Sequence, residues 1–295
     1  MKKIFFGLLL AILATTAKAQ LVSYEKSDSA LVLSLLKEAR QQPSGTNMVI
    51  WFGRQLQCVP YVAHTLEPFD KERLIVNLRE LDCTTFVENV VALTMCHKDS
   101  LCSFEAFCHI LQKLRYEQGD VPAYIKRNHY FTSWIEDNSS MGFCYELQSP
   151  NPPFTALQTI HVDYMTKNVD KYRMLTVNPQ DVPEIRKMEE SIEGKKYRYI
   201  PISEINNTKL LRETVHDGDI LAIITNVKGL DTQHIALALW HDDGLHILHA
   251  SSVRKKVVDE PVPLKQYLIN RKTTPGIRVV RIRNEELGMR NDSNS

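Results

Sequence analysis

Leu81-Asp82-Cys83-Thr84-Thr85-Phe86-Val87-Glu88-Asn89-Val90-Val91-Ala92-Leu93-Thr94-Met95 is the stretch from which the rest of the chain can be read. Phe86, Val90 and Leu93 recur at i, i+4 and i+7, with Val87 and Val91 beside them, so the spacing predicts a helix over Phe86 to Met95. Thr85-x-x-Glu88 reads as its capping box. That start puts Asp82-Cys83-Thr84-Thr85 at or just before the amino end, where unpaired N–H groups and the helix dipole favour negative charge. A thiol there loses its proton more readily, and the same N–H groups can hold the oxyanion of a tetrahedral intermediate. Cys58, Cys96, Cys102, Cys108 and Cys144 lack this placement. A buried structural residue is the plain alternative for any of the six.

A nucleophilic thiol needs a base, and the last third of the chain offers one. His234-Ile235-Ala236-Leu237-Ala238-Leu239-Trp240 has strand length and composition. Asp242-Asp243-Gly244 turns it into Leu245-His246-Ile247-Leu248-His249-Ala250. If Trp240 pairs with Leu245, His249 lies opposite Ala236 and His234 lies diagonal to it on the same face, within side-chain reach. His246 points the other way. Ala236 and Ala238 are small and on the histidine face, so they are expected to leave room for the end of the cysteine helix. A slip of one residue would separate the two imidazoles. Triad logic then has Cys83 attack a carbonyl, His234 carry the proton and His249 orient His234, with the Asp82 and Cys83 N–H groups as oxyanion donors.

Around this pair the chain reads as helix-rich first and strand-rich last, the pattern of an α+β fold. Ser29 to Arg40 and Phe104 to Tyr116 have helical spacing. Ile220 to Thr225 and Ile277 to Ile282 are short apolar strands, and Ser149 to Pro153 is a loop. Residues 1–19 combine Lys2 and Lys3, an apolar run from Ile4 to Leu13 and an Ala17-Lys18-Ala19 cleavage pattern, which reads as a secretory signal peptide. The apolar run is too short for a stable membrane anchor. Residues 20–295 are read as one domain with a mid-chain insertion at about 115–215. Lys and Arg total 36 against 35 Asp and Glu, a charge of +1 that becomes −2 once Lys2, Lys3 and Lys18 are removed. Such a balance argues against nucleic acid as partner, which calls for a concentrated basic face. Cys96, Cys102 and Cys108 lack the close spacing of a zinc site, and no metal or other cofactor is expected.

With these residues in place, a resemblance can be stated. Pro60-Tyr61-Val62-Ala63, Leu81 to Val87, His234-Ile235-Ala236 and His249-Ala250-Ser251 resemble, in order, the motifs of NlpC-type papain-like cell-wall peptidases. Asn77-Leu78-Arg79, His129-Tyr130-Phe131 with Trp134, and Gly229-Leu230-Asp231 are similar to the N-acetylmuramoyl-L-alanine amidase-like branch. The resemblance covers most of residues 45 to 270. It implies a papain-like fold with the cysteine helix packed on an antiparallel sheet and family-specific insertions. It also implies metal-free hydrolysis of the amide between N-acetylmuramic acid and L-alanine in peptidoglycan or muropeptide fragments. By it, Cys83, His234 and His249 carry the triad, with Tyr61 and Asp82 beside them. His64 departs from the pattern, standing where these families have glycine, and its side chain is expected beside Tyr61 at the entrance.

The aromatic and polar mixture from Arg127 to Asn138 suits a sugar or lactyl-peptide subsite, and on helical spacing alone it equally reads as an ordinary core helix with Tyr130, Phe131 and Trp134 facing inward. On the first reading His129, Tyr130, Trp134 and Asp137, with His64 and Arg79, are the expected substrate contacts. Arg115 and Arg127 are weaker candidates for the peptide carboxylates. The protein is expected to be an exported monomer, periplasmic or extracellular. A stem-peptide endopeptidase, a zinc amidase and an inactive wall-binding module are the competing classes.

Overall fold

The helix expected from Phe86 onward forms, but it starts three residues earlier, at Cys83. In the computed structural model, which describes residues 22–283, the N-cap is Asp82. Its Oδ1 accepts from the Thr85 N–H at 2.8 Å, and its own N–H donates to Thr85 Oγ1 at 2.9 Å. The capping box is thus Asp82 with Thr85 rather than Thr85 with Glu88. Aspartate caps as well as threonine does, and Glu88 is engaged elsewhere, accepting from Arg115 Nε at 2.7 Å in the interior. The segment read as a signal peptide lies outside the described residues.

In chain order the elements are β1 (Val22–Ser23), α1 (Lys26–Ala39), α2 (Met48–Gln55), β2 (Leu74–Ile75), α3 (Cys83–Lys98), α4 (Phe104–Arg115), α5 (Phe131–Ser140), β3 (Cys144–Glu146) and β4 (Ala156–Thr159). Then come α6 (Tyr164–Lys167), α7 (Arg173–Val177), α8 (Val182–Ile192), β5 (Lys196–Pro201), α9 (Lys209–Thr214), β6 (Ile220–Ile224), β7 (Thr232–His241), β8 (Gly244–Ser251), β9 (Lys256–Asp259), α10 (Leu264–Ile269) and β10 (Gly276–Ile282). β1 and β2 pair in parallel, while the main sheet runs β4-β5-β10-β6-β7-β8-β9 with β3 on β10, all of it antiparallel.

Alternation along the strands divides the core. Ile235, Leu237, Leu239 and Leu248 face α1–α5, while Ala236, Ala238, Leu245 and Ile247 face α9 and α10. Gly53 of α2 lies so close to the first face that a Cβ there would meet Leu248 at 2.7 Å. A third apolar cluster, from Tyr124 to Ile192, belongs to the middle of the chain. The expected room beside Ala236 and Ala238 is therefore not where α3 sits: the helix body packs on the opposite face, and only its first turn reaches the start of β7. Among the described residues, no helix is long and apolar enough to cross a membrane.

Under α3, the Glu88–Arg115 pair is almost wholly removed from water, with side chains 3% and 2% exposed. Arg115 also donates to the Ile75 carbonyl at 2.7 Å, which ties α4 to β2. Replacing Glu88 with Ala leaves that guanidinium buried without its counter-charge, a change expected to cost about 3–5 kcal/mol. Urea unfolding of Glu88→Ala checks this. A midpoint unchanged from the wild type would show that Arg115 finds water instead.

Candidate active site

Two chain segments far apart in sequence meet at the start of β7. Cys83 is the first residue of α3, and the Ile235 N–H together with the N–H and hydroxyl of Thr84 point at its sulfur. Cys83 and His234 line one cavity of about 190 Å³. The hairpin closes as counted, Trp240 opposite Leu245 and Leu237 opposite Leu248, with Asp242 and Asp243 as its two-residue turn. This register sets His234 Nε2 at 2.7 Å from His249 Nδ1, the rings edge to face at 82°. His249 is completely buried.

Two further groups surround His249 that the sequence did not disclose. Its Nε2 lies 3.5 Å from Glu260 Oε2, an ion-pair distance rather than a hydrogen bond. Glu260 is itself buried and gripped by Arg254, whose Nε and NH2 reach its two oxygens at 3.1 and 2.6 Å. The Tyr267 ring stands edge-on to His249 at 5.6 Å. The only trace of Glu260 in the sequence is a charged residue at the end of a strand before Pro261, which by itself reads as solvated surface.

Electrostatics correct one expectation. Burial, reinforced by the Asp82 carboxylate, pushes the Cys83 thiol up to about 11, against the pull of the Ile235 and Thr84 N–H groups. Burial and the neighbouring His249 and Arg271 hold His234 well below the ordinary histidine value, and burial with Arg271 and Arg254 brings His249 to about 4. Burial thus favours the neutral thiol and the neutral imidazoles over a thiolate–imidazolium pair. Tyr61 is raised to about 12 by burial and by the nearby Cys83 and Asp82. Its backbone is fixed by donation to the Lys255 carbonyl at 2.9 Å and by a bridge to Leu81, immediately before Asp82 and the cysteine.

Of the expected substrate contacts, His129, Tyr130 and Trp134 line the cavity with Cys83 and His234. His129 donates from Nε2 to the Tyr124 carbonyl at 2.7 Å, and burial holds it down to about 3. The Tyr130 hydroxyl is committed to Glu189 at 2.8 Å, and the residue is buried in the core, so it backs the cavity without offering a free face. The Trp134 indole stacks on Phe131, and its buried Nε1 lacks a partner. Asp231 holds this aromatic helix in place by accepting from the Thr132 N–H at 2.7 Å.

Three expected contacts lie elsewhere. His64 is exposed at φ 62°, a left-handed backbone that accounts for glycine in the related motif, and it does not line the cavity. Arg79 is spent on Glu25 and Asp28, at 2.8 and 3.2 Å. Asp137 accepts from the Gln118 N–H and from Asn128 and borders a different cavity of about 480 Å³. Arg115 and Arg127 are likewise engaged internally, Arg127 with Glu67 at 2.6 Å.

Residues 51–277 match the family model described as AmiA-like, N-acetylmuramoyl-L-alanine amidase-like. The chain belongs to the N-acetylmuramoyl-L-alanine amidase-like family. It is similar to an N-acetylmuramoyl-L-alanine amidase from Bacteroides uniformis ATCC 8492 solved at 1.15 Å, with 37% identity and a TM-score of 0.75 over 81% of this chain and 99% of that one. A Bacteroides fragilis structure provisionally titled a xylanase shares 35% identity and a TM-score of 0.73, over 79% and 99%. A Legionella pneumophila protein, LPG0564, at 20% identity and a TM-score of 0.68 over 87% and 94%, shares the fold. No curated protein matches. Family membership supports a hydrolase of the amidase-like, cell-wall kind.

A neutral thiol has a measurable consequence. Carboxymethylation of Cys83, followed by mapping its peptide so that exposed Cys58 and Cys102 do not confuse the count, should still be accelerating above about pH 9, where an ordinary thiol has begun to level off. A rate already flat at neutral pH would show a preformed thiolate–imidazolium pair.

Proposed function

We propose that the chain hydrolyses the amide joining N-acetylmuramic acid to L-alanine in peptidoglycan fragments, through Cys83, His234 and His249. The observation that carries this reading is the 2.7 Å histidine pair whose outer ring shares a cavity with a helix-start cysteine. Family membership supplies the class of bond.

In this scheme His249 carries its proton on Nε2, on the side of the Glu260 carboxylate 3.5 Å away, accepts from His234 Nε2–H at Nδ1 and leaves the His234 Nδ1 lone pair for the thiol. As the sulfur attacks the lactyl carbonyl, His234 takes the thiol proton, and the imidazolium it becomes is stabilised by His249 and, behind it, Glu260. The Asp82 N–H is committed to its capping box, so the Cys83 N–H and the Tyr61 hydroxyl are the oxyanion donors in this scheme. Collapse of the intermediate breaks the C–N bond. His234 returns the proton to the amine, the stem peptide leaves with L-alanine at its new amino terminus, and the lactyl group stays on sulfur as a thioester. Water, deprotonated by His234, then releases the lactyl carboxylate and restores the thiol. Of His129, Tyr130 and Trp134, only the His129 ring is partly exposed for the sugar or lactyl portion, while Tyr130 and Trp134, 3% and 1% exposed, back the cavity from the core.

In this reading the fold is of the NlpC-type papain-like kind, a single domain with the 115–215 segment inserted. Export through the 1–19 segment brings the enzyme to the periplasm or exterior, where its substrate lies.

Weighing the products of a defined muropeptide tests the proposal. Intact stem peptide beginning with L-alanine is expected, whereas a muramoyl dipeptide would establish an endopeptidase instead. Cys83→Ala should abolish turnover, and binding without turnover by the wild type would leave only a wall-binding module. The kcat/KM profile gives a separate check. Both imidazoles must be neutral, their values are lowered, and so activity should survive below the ordinary histidine range and fail only as pH falls further. Glu260→Gln should lower kcat by about 10²-fold with KM little changed, and Glu260→Asp should restore part of it. Equal losses in both variants would reduce Glu260 to a packing role.

A further inference from the structure

The tip of the β7–β8 hairpin carries a second histidine cluster that the amide chemistry does not use. His246 is 1% exposed, with Nδ1 at 2.8 Å from the Glu260 carbonyl and Nε2 at 2.8 Å from Asp243 Oδ1. The His241 ring stacks on it at 4.0 Å and 17°, and His241 Nε2 lies 3.2 Å from Asp259 Oδ1. One donor atom each from His241, Asp243 and His246 can be drawn within 4.8 Å of the others.

The hydrogen-bond accounting at His246 admits a cation. A carbonyl only accepts, so Nδ1 must carry a proton. On the other side of the ring Nε2 faces a carboxylate oxygen at 2.8 Å, a spacing that either a ring proton or a bound cation can bridge. A second ring proton would make a buried imidazolium stacked face to face on another imidazole. A divalent ion would serve both rings and the carboxylate together. The Nδ1–H···O=C contact behind His246 is the arrangement that fixes the tautomer of metal-ligating histidines. Asp259 Oδ1, buried and without a hydrogen bond, adds a further uncommitted carboxylate oxygen beside His241. The Arg212 guanidinium bonds to the main-chain oxygens of His241 and Asp242 and leaves the carboxylates free.

We infer that His241, Asp243 and His246 bind a divalent transition-metal ion of the zinc type, with one coordination position left to water or to Asp259. Two imidazoles and a carboxylate are a donor set for Zn²⁺ rather than for Mg²⁺ or Ca²⁺, which prefer oxygen alone. The ion would bridge β7 and β8 across their turn. Through His246 it would also steady Glu260, whose carboxylate faces His249 from 3.5 Å. The site stands apart from Cys83 and does not depend on the amidase reading.

Titration of the chelator-stripped, tag-free mature chain with Zn²⁺ by calorimetry, repeated with Co²⁺ by absorbance, tests this. One ion per chain is expected, with a zinc-dependent rise in melting temperature. His241→Gln and Asp243→Asn, both at solvent-accessible positions, should each weaken zinc binding at least about tenfold and abolish that rise. Cys83→Ala should bind zinc as the wild type does. The inference is overturned if the wild type binds no zinc, or if Cys83→Ala loses the ion while the turn variants keep it, which would place it on the thiol.

Discussion

The 2.7 Å contact between His234 and His249 exists because a two-residue turn fixes the pairing of β7 with β8. Strand side chains alternate faces, so the register decides everything downstream of it. One residue of slip would carry His249 to the face of Leu237 and Leu248, under α2 and α3. The apolar pattern prevents this. Slip would also move Ile247 and Leu245 into the packing under α1–α5 and empty their places in the cluster built on Ala236, Ala238 and Val279. The position of the imidazoles is thus enforced by residues with no part in the chemistry.

The same burial that enforces the geometry sets the protonation. At a solvated helix start, the N–H groups beside Cys83 would draw its proton off. Here the sulfur is partly withdrawn from water at the cavity wall, and desolvation together with Asp82 outweighs those donors. In the proposed mechanism the consequence is a division of labour: the thiol needs a base, and burial, which lowers His234, favours its unprotonated form. A helix start therefore fixes where the sulfur points more than it supplies charge.

This division also explains what was legible in the sequence. Periodicity reported α3, the hairpin and its register, since each is enforced over many apolar positions. Single polar residues were less legible, because their partners are distant in sequence. Thr85-x-x-Glu88 matches a capping box as well as Asp82-x-x-Thr85 does, and only Arg115, on another helix, shows where Glu88 is needed. Arg79 and Asp137 were expected at the substrate and are instead held by Asp28 and Gln118. His64 was read for its side chain, whereas its positive φ is the feature that matters. Small Ala236 and Ala238 suggest room for the helix end on their face, yet the body of α3 packs on the opposite face, with Ile235, Leu237 and Leu248.

Glu260 is the clearest case of a residue whose meaning is wholly tertiary. Its N–H donates to the Ile247 carbonyl at 2.9 Å, its carbonyl receives His246 and its carboxylate faces His249, so three contacts along β8 converge on one residue. Arg254 fixes the carboxylate from the solvent side. Because His246 and His249 have opposite parity on β8, no side chain on that strand could address both. A residue beyond the strand's edge can, by offering main chain to one and side chain to the other. The hairpin tip and the histidine pair are therefore one mechanical unit, and whatever fixes His246 also fixes the group that orients His249.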